Sequence, residues 1–127
     1  MNEKNPISPH IQIYNWHISS LVSIVHRITG VINFTLITII CFLVMSLMLG
    51  PNNYSSINIF FNSIFGKFII ISITWSFSFQ ILSEVRHFFW DLGYGFELKT
   101  SNLTGVFVIV GSFLTTLLIY FIGRFFI

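Results

Sequence analysis

Two long runs of uncharged, mostly apolar residues constrain this 127-residue chain more than any other feature. Residues 28–49 and 103–123 contain no Asp, Glu, Lys or Arg, and about 20 such residues are enough for a helix to cross a bilayer. A third run of 16 uncharged residues, between Lys67 and Glu84, needs its flanks to reach that length. We therefore expect one transmembrane domain, residues 1–127, with an interfacial N-terminal segment and three helices: 1–20, about 21–49, 62–90 and 103–124.

The composition supports a membrane protein and excludes several other classes. Only 8% of the residues are charged and 54% are hydrophobic, whereas soluble domains carry roughly 25% charged residues. A chain of this kind has too few charges to cover a water-facing surface or to remain disordered, and its net charge of +2 does not indicate a nucleic-acid partner. The single cysteine, Cys41, excludes a cysteine-held metal or iron–sulfur site within this chain. The predicted fold is an all-α integral membrane bundle.

The basic residues predict which side of the membrane each connection occupies. Lys and Arg are enriched on the inner side of a membrane. With three spans, four basic residues fall on the side of the N-terminus and two on the other: Lys4, Arg27, Arg86 and Lys99 against Lys67 and Arg124. This places the N-terminus, and the region of all four histidines, on the cytoplasmic or matrix side.

Smaller signals predict where helices end and where they pack. Gly50 and Pro51 interrupt the first apolar run, and Asn102 is a suitable N-cap for the third helix. Small residues four apart allow close packing of membrane helices, and three such pairs occur: Ser72 and Ser76, Thr74 and Ser78, Gly111 and Thr115.

The first candidate site is the segment from Ser23 to Arg27. On a helix these two residues lie one turn apart on one face, with His26 one position round. A hydroxyl and a guanidinium at the edge of the hydrocarbon suit a carbonyl oxygen that becomes negative on reduction, such as that of a quinone. The alternative is that Arg27 only extends to the lipid headgroups as an anchor.

The second candidate site is the segment from Glu84 to Asp91. His87 and Asp91 are four residues apart, so the carboxylate is able to orient the imidazole, and Arg86 is able to stack on Trp90. This arrangement predicts a patch that handles protons or binds propionates. A salt-bridged helix end at the interface explains the same spacing, so both interpretations stay open.

Three ordered motifs carry a close resemblance to a known family. They are Ser-Pro-His-Ile-Gln-Ile-Tyr at 8–14, Ser-Ile-Val-His-Arg-Ile-Thr-Gly at 23–30 and Arg-His-Phe-Phe-Trp-Asp-Leu-Gly at 86–93. Together they resemble the signatures of the cytochrome b subunit of succinate dehydrogenase, the three-helix membrane anchor of respiratory complex II. The resemblance covers nearly the whole chain.

The resemblance implies an assembly and a set of site residues. In that family this subunit and a second membrane anchor hold a flavoprotein subunit and an iron–sulfur subunit on the inner face, and electrons from succinate reach ubiquinone. Ser23 and Arg27 then correspond to the residues that line the quinone pocket. His26, Arg86 and His87 correspond to its surroundings, or to residues beside the haem propionates where haem is present. Asp91 is a candidate proton relay.

One position departs from the family pattern. Haem-bearing members place an axial histidine seven residues before the histidine of the Arg-His pair, and this chain has Gln80 there. Glutamine is a poor ligand for haem iron, and Glu84 adds bulk and charge where a small residue is usual. We therefore expect haem b to be absent, or to be held through the partner anchor and a different ligand.

Three functions compete at this point. The first is an anchor subunit of succinate dehydrogenase that forms part of the ubiquinone site, in the mitochondrial inner membrane or the bacterial cytoplasmic membrane, and that has no catalytic activity alone. The second is a purely structural anchor without quinone contacts. The third is a small transporter, which needs ionisable groups at mid-membrane, and residues 103–123 contain none.

Overall fold

The computed structural model describes residues 16–126, apart from the side chains of residues 51–53. This part of the chain is all helical and contains no strand. It forms four helices: α1 (Ile18–Met48), α2 (Pro51–Asn62), α3 (Ile64–Asp91) and α4 (Leu98–Phe126). The predicted all-α membrane fold is confirmed, whereas most of the N-terminal segment, including the motif at 8–14 and His10, lies outside the described residues.

Helices α1, α3 and α4 are long and apolar enough to cross a membrane. They contain 31, 28 and 29 residues, which at about 1.5 Å per residue exceeds the roughly 30 Å of the hydrocarbon layer. Each therefore extends beyond the apolar layer at one end or both, where polar side chains reach the interface.

The chain changes direction after α1 through Gly50. This residue has φ +142°, a conformation that favours glycine, and Pro51 opens α2 at a position where its missing N–H costs nothing. The predicted interruption at Gly50 and Pro51 is confirmed. The 12-residue helix α2 is an element that the apolar runs did not predict, because half of its residues are polar and it is too short to span.

A close backbone contact joins α2 to α3. The Ser63 hydroxyl accepts a hydrogen bond from the Gly66 amide at 3.1 Å and so caps α3. Gly66 is buried there, and a Cβ added to it would collide with the Phe60 carbonyl oxygen. Only glycine allows this turn to close without a shift of the backbone.

Helix α4 begins earlier than the apolar run does. Its first residue is Leu98, so Asn102 lies inside the helix and the prediction that Asn102 is the N-cap is wrong. The Ser101 amide donates to the Glu97 carbonyl at 2.8 Å, which closes the first turn. Polar residues in this first turn contact α3, as Ser101 does through Arg86. The apolar run begins after them, so it does not predict that the helix starts here.

Helix α3 lies at the centre of the bundle, with its most extensive contacts to α4 and then to α1. The buried residues are mainly small and polar, whereas large apolar side chains cover the outside: Thr29, Asn33, Ser76, Ser78, Ser83, Ser101, Ser112 and Thr116 are buried. Such an arrangement is typical of membrane helices, where lipid replaces water outside and small residues permit close packing inside.

Only some members of the predicted packing pairs are buried. Ser76 and Ser78 are buried and Gly111 packs against Leu82, whereas Ser72 is exposed. The shortest side-chain hydrogen bond between α1 and α3 in the described range joins Ser76 to Asn33, a residue outside these pairs. The Ser76 hydroxyl donates to the Asn33 side-chain oxygen at 2.7 Å, and the Asn33 amide nitrogen lies 3.4 Å from the Ser76 carbonyl.

Candidate functional site

Four polar side chains lie in a row between α1 and α3, each within hydrogen-bond distance of the next. The Thr29 hydroxyl donates to the Gln80 side-chain oxygen at 2.9 Å. The Gln80 side-chain nitrogen lies 2.8 Å from His26 Nε2, and the same His26 atom lies 2.9 Å from Glu84 Oε1. We call Thr29, Gln80, His26 and Glu84 the His26 cluster. It runs from the buried Thr29 to the exposed Glu84.

His26 Nε2 therefore has two neighbours of opposite chemical character. The Gln80 amide nitrogen is a donor, and the Glu84 carboxylate is an acceptor. When Nε2 carries no proton it accepts from Gln80, and when it carries a proton it donates to Glu84. The side chains of His26 and Glu84 are 18% and 60% exposed, so the cluster connects a proton-accepting nitrogen to the outside of the described bundle.

His87 adds a second imidazole to this region. Its ring stacks on that of His26 with centroids 4.9 Å apart and planes inclined by 27°. Its Nδ1 lies 2.7 Å from the Ser83 carbonyl oxygen, and because a carbonyl only accepts, Nδ1 is the donor. Asp91, at the end of α3, is exposed and makes no hydrogen bond with the described residues. The suggested pairing of His87 with Asp91 is thus not formed.

Ser23 and Arg27 lie on the neighbouring face of α1. Ser23 is half-buried and Arg27 is exposed, and neither side chain makes a hydrogen bond or ion pair with other residues in the described range. His26, one position before Arg27, points to α3 instead. The first candidate segment is thus divided between a hydrogen-bonded imidazole facing α3 and a hydroxyl and a guanidinium on the surface of the bundle.

Arg86 lies on the opposite side of α3, toward α4. Its Nε donates to the Thr104 hydroxyl at 3.2 Å, and one terminal nitrogen donates to the Ser19 hydroxyl at 3.1 Å and the Ser101 carbonyl at 3.0 Å. Its guanidinium carbon lies 4.1 Å from the centre of the Trp90 ring. The predicted stacking of Arg86 on Trp90 is confirmed, but Arg86 does not join the His26 cluster.

The spacing of polar residues along α1 and α3 is a sequence signal for the His26 cluster that is distinct from the three motifs. On α3, Ser76, Gln80, Ser83 and His87 recur at intervals of three and four residues, as do His26, Thr29 and Asn33 on α1. Polar residues at this spacing form one stripe along each helix. Two polar stripes on membrane-spanning helices predict contact with each other, because lipid offers them no hydrogen-bond partner.

The site combines hydrogen-bond donors with groups able to carry a proton. Ser23 and Arg27 offer a hydroxyl and a permanent positive charge, and His26 and Glu84 offer an imidazole and a carboxylate close by. No set of three or more His, Cys, Asp or Glu side chains able to hold a metal ion occurs among residues 16–126.

Comparisons with known proteins show which family the chain resembles. A profile of the family described as Succinate dehydrogenase/Fumarate reductase transmembrane subunit matches residues 1–119. The chain is 38% identical over 117 residues to the succinate dehydrogenase cytochrome b556 subunit of Rickettsia felis, covering 92% of this chain and 91% of that protein. The corresponding protein of Rickettsia prowazekii is 40% identical over 119 residues, with the same coverage. The succinate dehydrogenase cytochrome b560 subunit of Reclinomonas americana is 36% identical over 132 residues, covering 96% of this chain and 88% of that protein.

Proposed function

The chain belongs to the family of succinate dehydrogenase and fumarate reductase transmembrane subunits, and from this premise we propose that it forms one wall of a ubiquinone-reduction site. With three apolar helices and bacterial and mitochondrial relatives, it is a multi-pass protein of a bacterial or mitochondrial inner membrane. The proposed partners are a second membrane anchor, an iron–sulfur subunit and a flavoprotein subunit. In this proposal the N-terminus lies on the inner side, where the two soluble subunits would bind.

The side-chain donors of the half-buried Ser23 and the exposed Arg27 carry the proposal. A quinone takes up two electrons and two protons to become a quinol, and negative charge develops on its carbonyl oxygens as electrons arrive. A hydroxyl and a guanidinium that have no partner among the described residues are free to donate to such an oxygen. Residues of the partner subunits would complete the pocket.

The His26 cluster supports a role in supplying a proton to that pocket. His26 is adjacent to Arg27 in sequence and holds the exposed Glu84 at 2.9 Å. A proton taken up by Glu84 is able to pass to His26 Nε2. His26 directly precedes Arg27, one of the two proposed quinone contacts, in the sequence. In this proposal His26 and Glu84 move the proton, and Asp91 at the inner end of α3 is a second candidate relay.

The residues at the usual haem position do not fit haem b. Gln80 stands where haem-bearing members have an axial histidine, and both ends of its amide are engaged, by Thr29 and by His26. Gly30 of α1 lies directly against this amide, with an ideal Cβ position 3.6 Å from the Gln80 nitrogen. We propose that this subunit provides no axial ligand, although its relatives bear the name cytochrome b.

Two activity assays on the assembled complex test the quinone proposal. We expect Arg27→Leu to lower succinate–quinone turnover at least about tenfold, as loss of one charge-assisted hydrogen bond would, while succinate oxidation by a soluble dye stays near the wild-type rate. Arg124→Leu is the matched control, because Arg124 is also an exposed arginine of a membrane-spanning helix but lies in the last turn of α4, outside the proposed site.

The other functions predict different results. An equal loss in both assays would mark Arg27 as an assembly residue and favour the purely structural anchor. A small transporter would purify without covalent flavin and iron–sulfur subunits. Copurification of those subunits together with a selective loss of quinone turnover supports the proposal.

A further inference from the structure

Arg86 is a buried positive charge without a negative partner in the described part of the chain. Arg86 is only 4% exposed. Its hydrogen-bond acceptors are hydroxyl and carbonyl oxygens of Ser19, Ser101 and Thr104, all of them neutral. Its second terminal nitrogen, Nη1, is buried and makes no hydrogen bond.

This arrangement is energetically incomplete. Removing a guanidinium from water costs several kcal/mol unless an opposite charge and a full set of hydrogen bonds replace the water. The only ion pair among residues 16–126 joins His26 to Glu84, so Glu84 is already engaged and does not balance Arg86. The unused Nη1 donor and the absence of a negative partner among residues 16–126 together indicate an anion from outside the described residues.

A groove between α3 and α4 places Arg86 beside a space of about 560 Å³. Trp90, Tyr94 and Thr100 line its end near the α3–α4 connection, and Phe107 and Gly111 line it farther along α4. From Thr100 to Gly111 the helix rises about 16 Å. The groove thus extends from the interface, where Trp and Tyr prefer to lie, into the hydrocarbon layer.

We propose that this groove binds an anionic phospholipid of the inner leaflet. The phosphodiester pairs with the Arg86 guanidinium at the level of Trp90, and an acyl chain lies against Phe107 and Gly111. A basic residue set between membrane helices is a typical site for an anionic headgroup. A lipid with one net negative charge compensates the one charge of Arg86, whereas a zwitterionic lipid carries its own ammonium into the site. The proposal requires membrane insertion but not the quinone function.

Native mass spectrometry of the purified complex tests this site. The wild-type complex is delipidated and then incubated with phosphatidylglycerol or with phosphatidylcholine. We expect it to retain phosphatidylglycerol at a lipid concentration at least about tenfold lower than the concentration needed for phosphatidylcholine. Val85→Trp fills the groove without removing a hydrogen bond of Arg86. Leu117→Trp is the control, since Leu117 is similarly exposed, at 53% against 48%, but lines a different groove. We expect Val85→Trp to abolish the preference and Leu117→Trp to keep it.

Further arms identify the source of the anion. Arg86→Lys should keep part of the preference and Arg86→Met should lose it, while inorganic phosphate alone should not displace the lipid. Equal retention of the two lipids by the wild-type complex would overturn the proposal without any variant. Displacement by inorganic phosphate would reduce the site to a free-anion site, and a full preference in Arg86→Met or Val85→Trp would likewise overturn it.

Discussion

His26 Nε2 of α1 lies 2.8 Å from the side-chain nitrogen of Gln80 on α3, and 2.9 Å from Glu84 Oε1 one turn farther along the same helix. Gln80 and Glu84 are the two positions at which the sequence resemblance indicates a departure from haem-bearing members. Both departures converge on one nitrogen atom. We propose that this hydrogen-bonded link stands where haem-bearing members have an iron ligand and a small residue.

The first prediction concerns haem. Because the Gln80 amide is engaged by Thr29 and His26, we expect the reduced-minus-oxidised spectrum of the wild-type complex to lack a bis-histidine b-type band that depends on this subunit. The combined change Gln80→His and Glu84→Gly restores an imidazole and removes bulk, so it is the variant in which such a band should arise. Gln80→Leu serves as the control. A band present in the wild type and lost in Gln80→Leu would contradict the prediction.

The second prediction concerns proton supply. Glu84→Gln keeps the size of the side chain but removes its ability to carry a proton, so we expect succinate–quinone turnover to fall about tenfold or more. Oxidation of succinate by a soluble dye should be unchanged. Glu97→Gln is the matched control, because Glu97 is an exposed acid outside α3. Equal quinone turnover in the two variants would exclude Glu84 as the relay.

The third prediction concerns the link between Asn33 and Ser76. Their side chains are buried and bonded at 2.7 Å, and interhelical hydrogen bonds in membranes contribute roughly 0.6–1.7 kcal/mol. Asn33→Leu and Ser76→Ala should therefore each destabilise the complex, and the double variant should cost less than the sum. A double-mutant cycle on thermal unfolding measures the coupling. Ser72→Ala, where the exposed hydroxyl bonds only its own helix, should have little effect.

The fourth prediction concerns the close contact at Gly66. Gly66→Ala places a methyl group against the Phe60 carbonyl, and overpacking of this kind costs typically 1–3 kcal/mol. The expected result is a lower thermal midpoint of the assembled complex, with α2 displaced from α3. Gly123→Ala is the control, because a Cβ there has no neighbouring atom within 4 Å. A midpoint for Gly66→Ala equal to that of Gly123→Ala would show that the turn is free to adjust.

The number of long apolar helices, the membrane environment and the polar segments near Arg27 and Arg86 were all determined by the sequence alone. Hydrophobic length decides whether a helix spans, and that length is read directly from residues 28–49 and 103–123. The helical repeat also places Trp90 one turn after Arg86, so their stacking followed from local geometry. The apolar runs do not predict helix α2, because it is short and half of its residues are polar.

Only the tertiary structure decided which helix each polar side chain meets. The helical repeat fixes which residues share a face but leaves open how each helix is rotated and shifted against its neighbours. The pairing of His26 with Gln80 and Glu84, across more than fifty residues of chain, depends on that rotation, as does the direction of Arg86 toward Ser101 and Thr104. Close packing of the small residues between α1, α3 and α4 sets it. The result is that His26 meets Glu84, whereas Arg86 of the same segment points to α4.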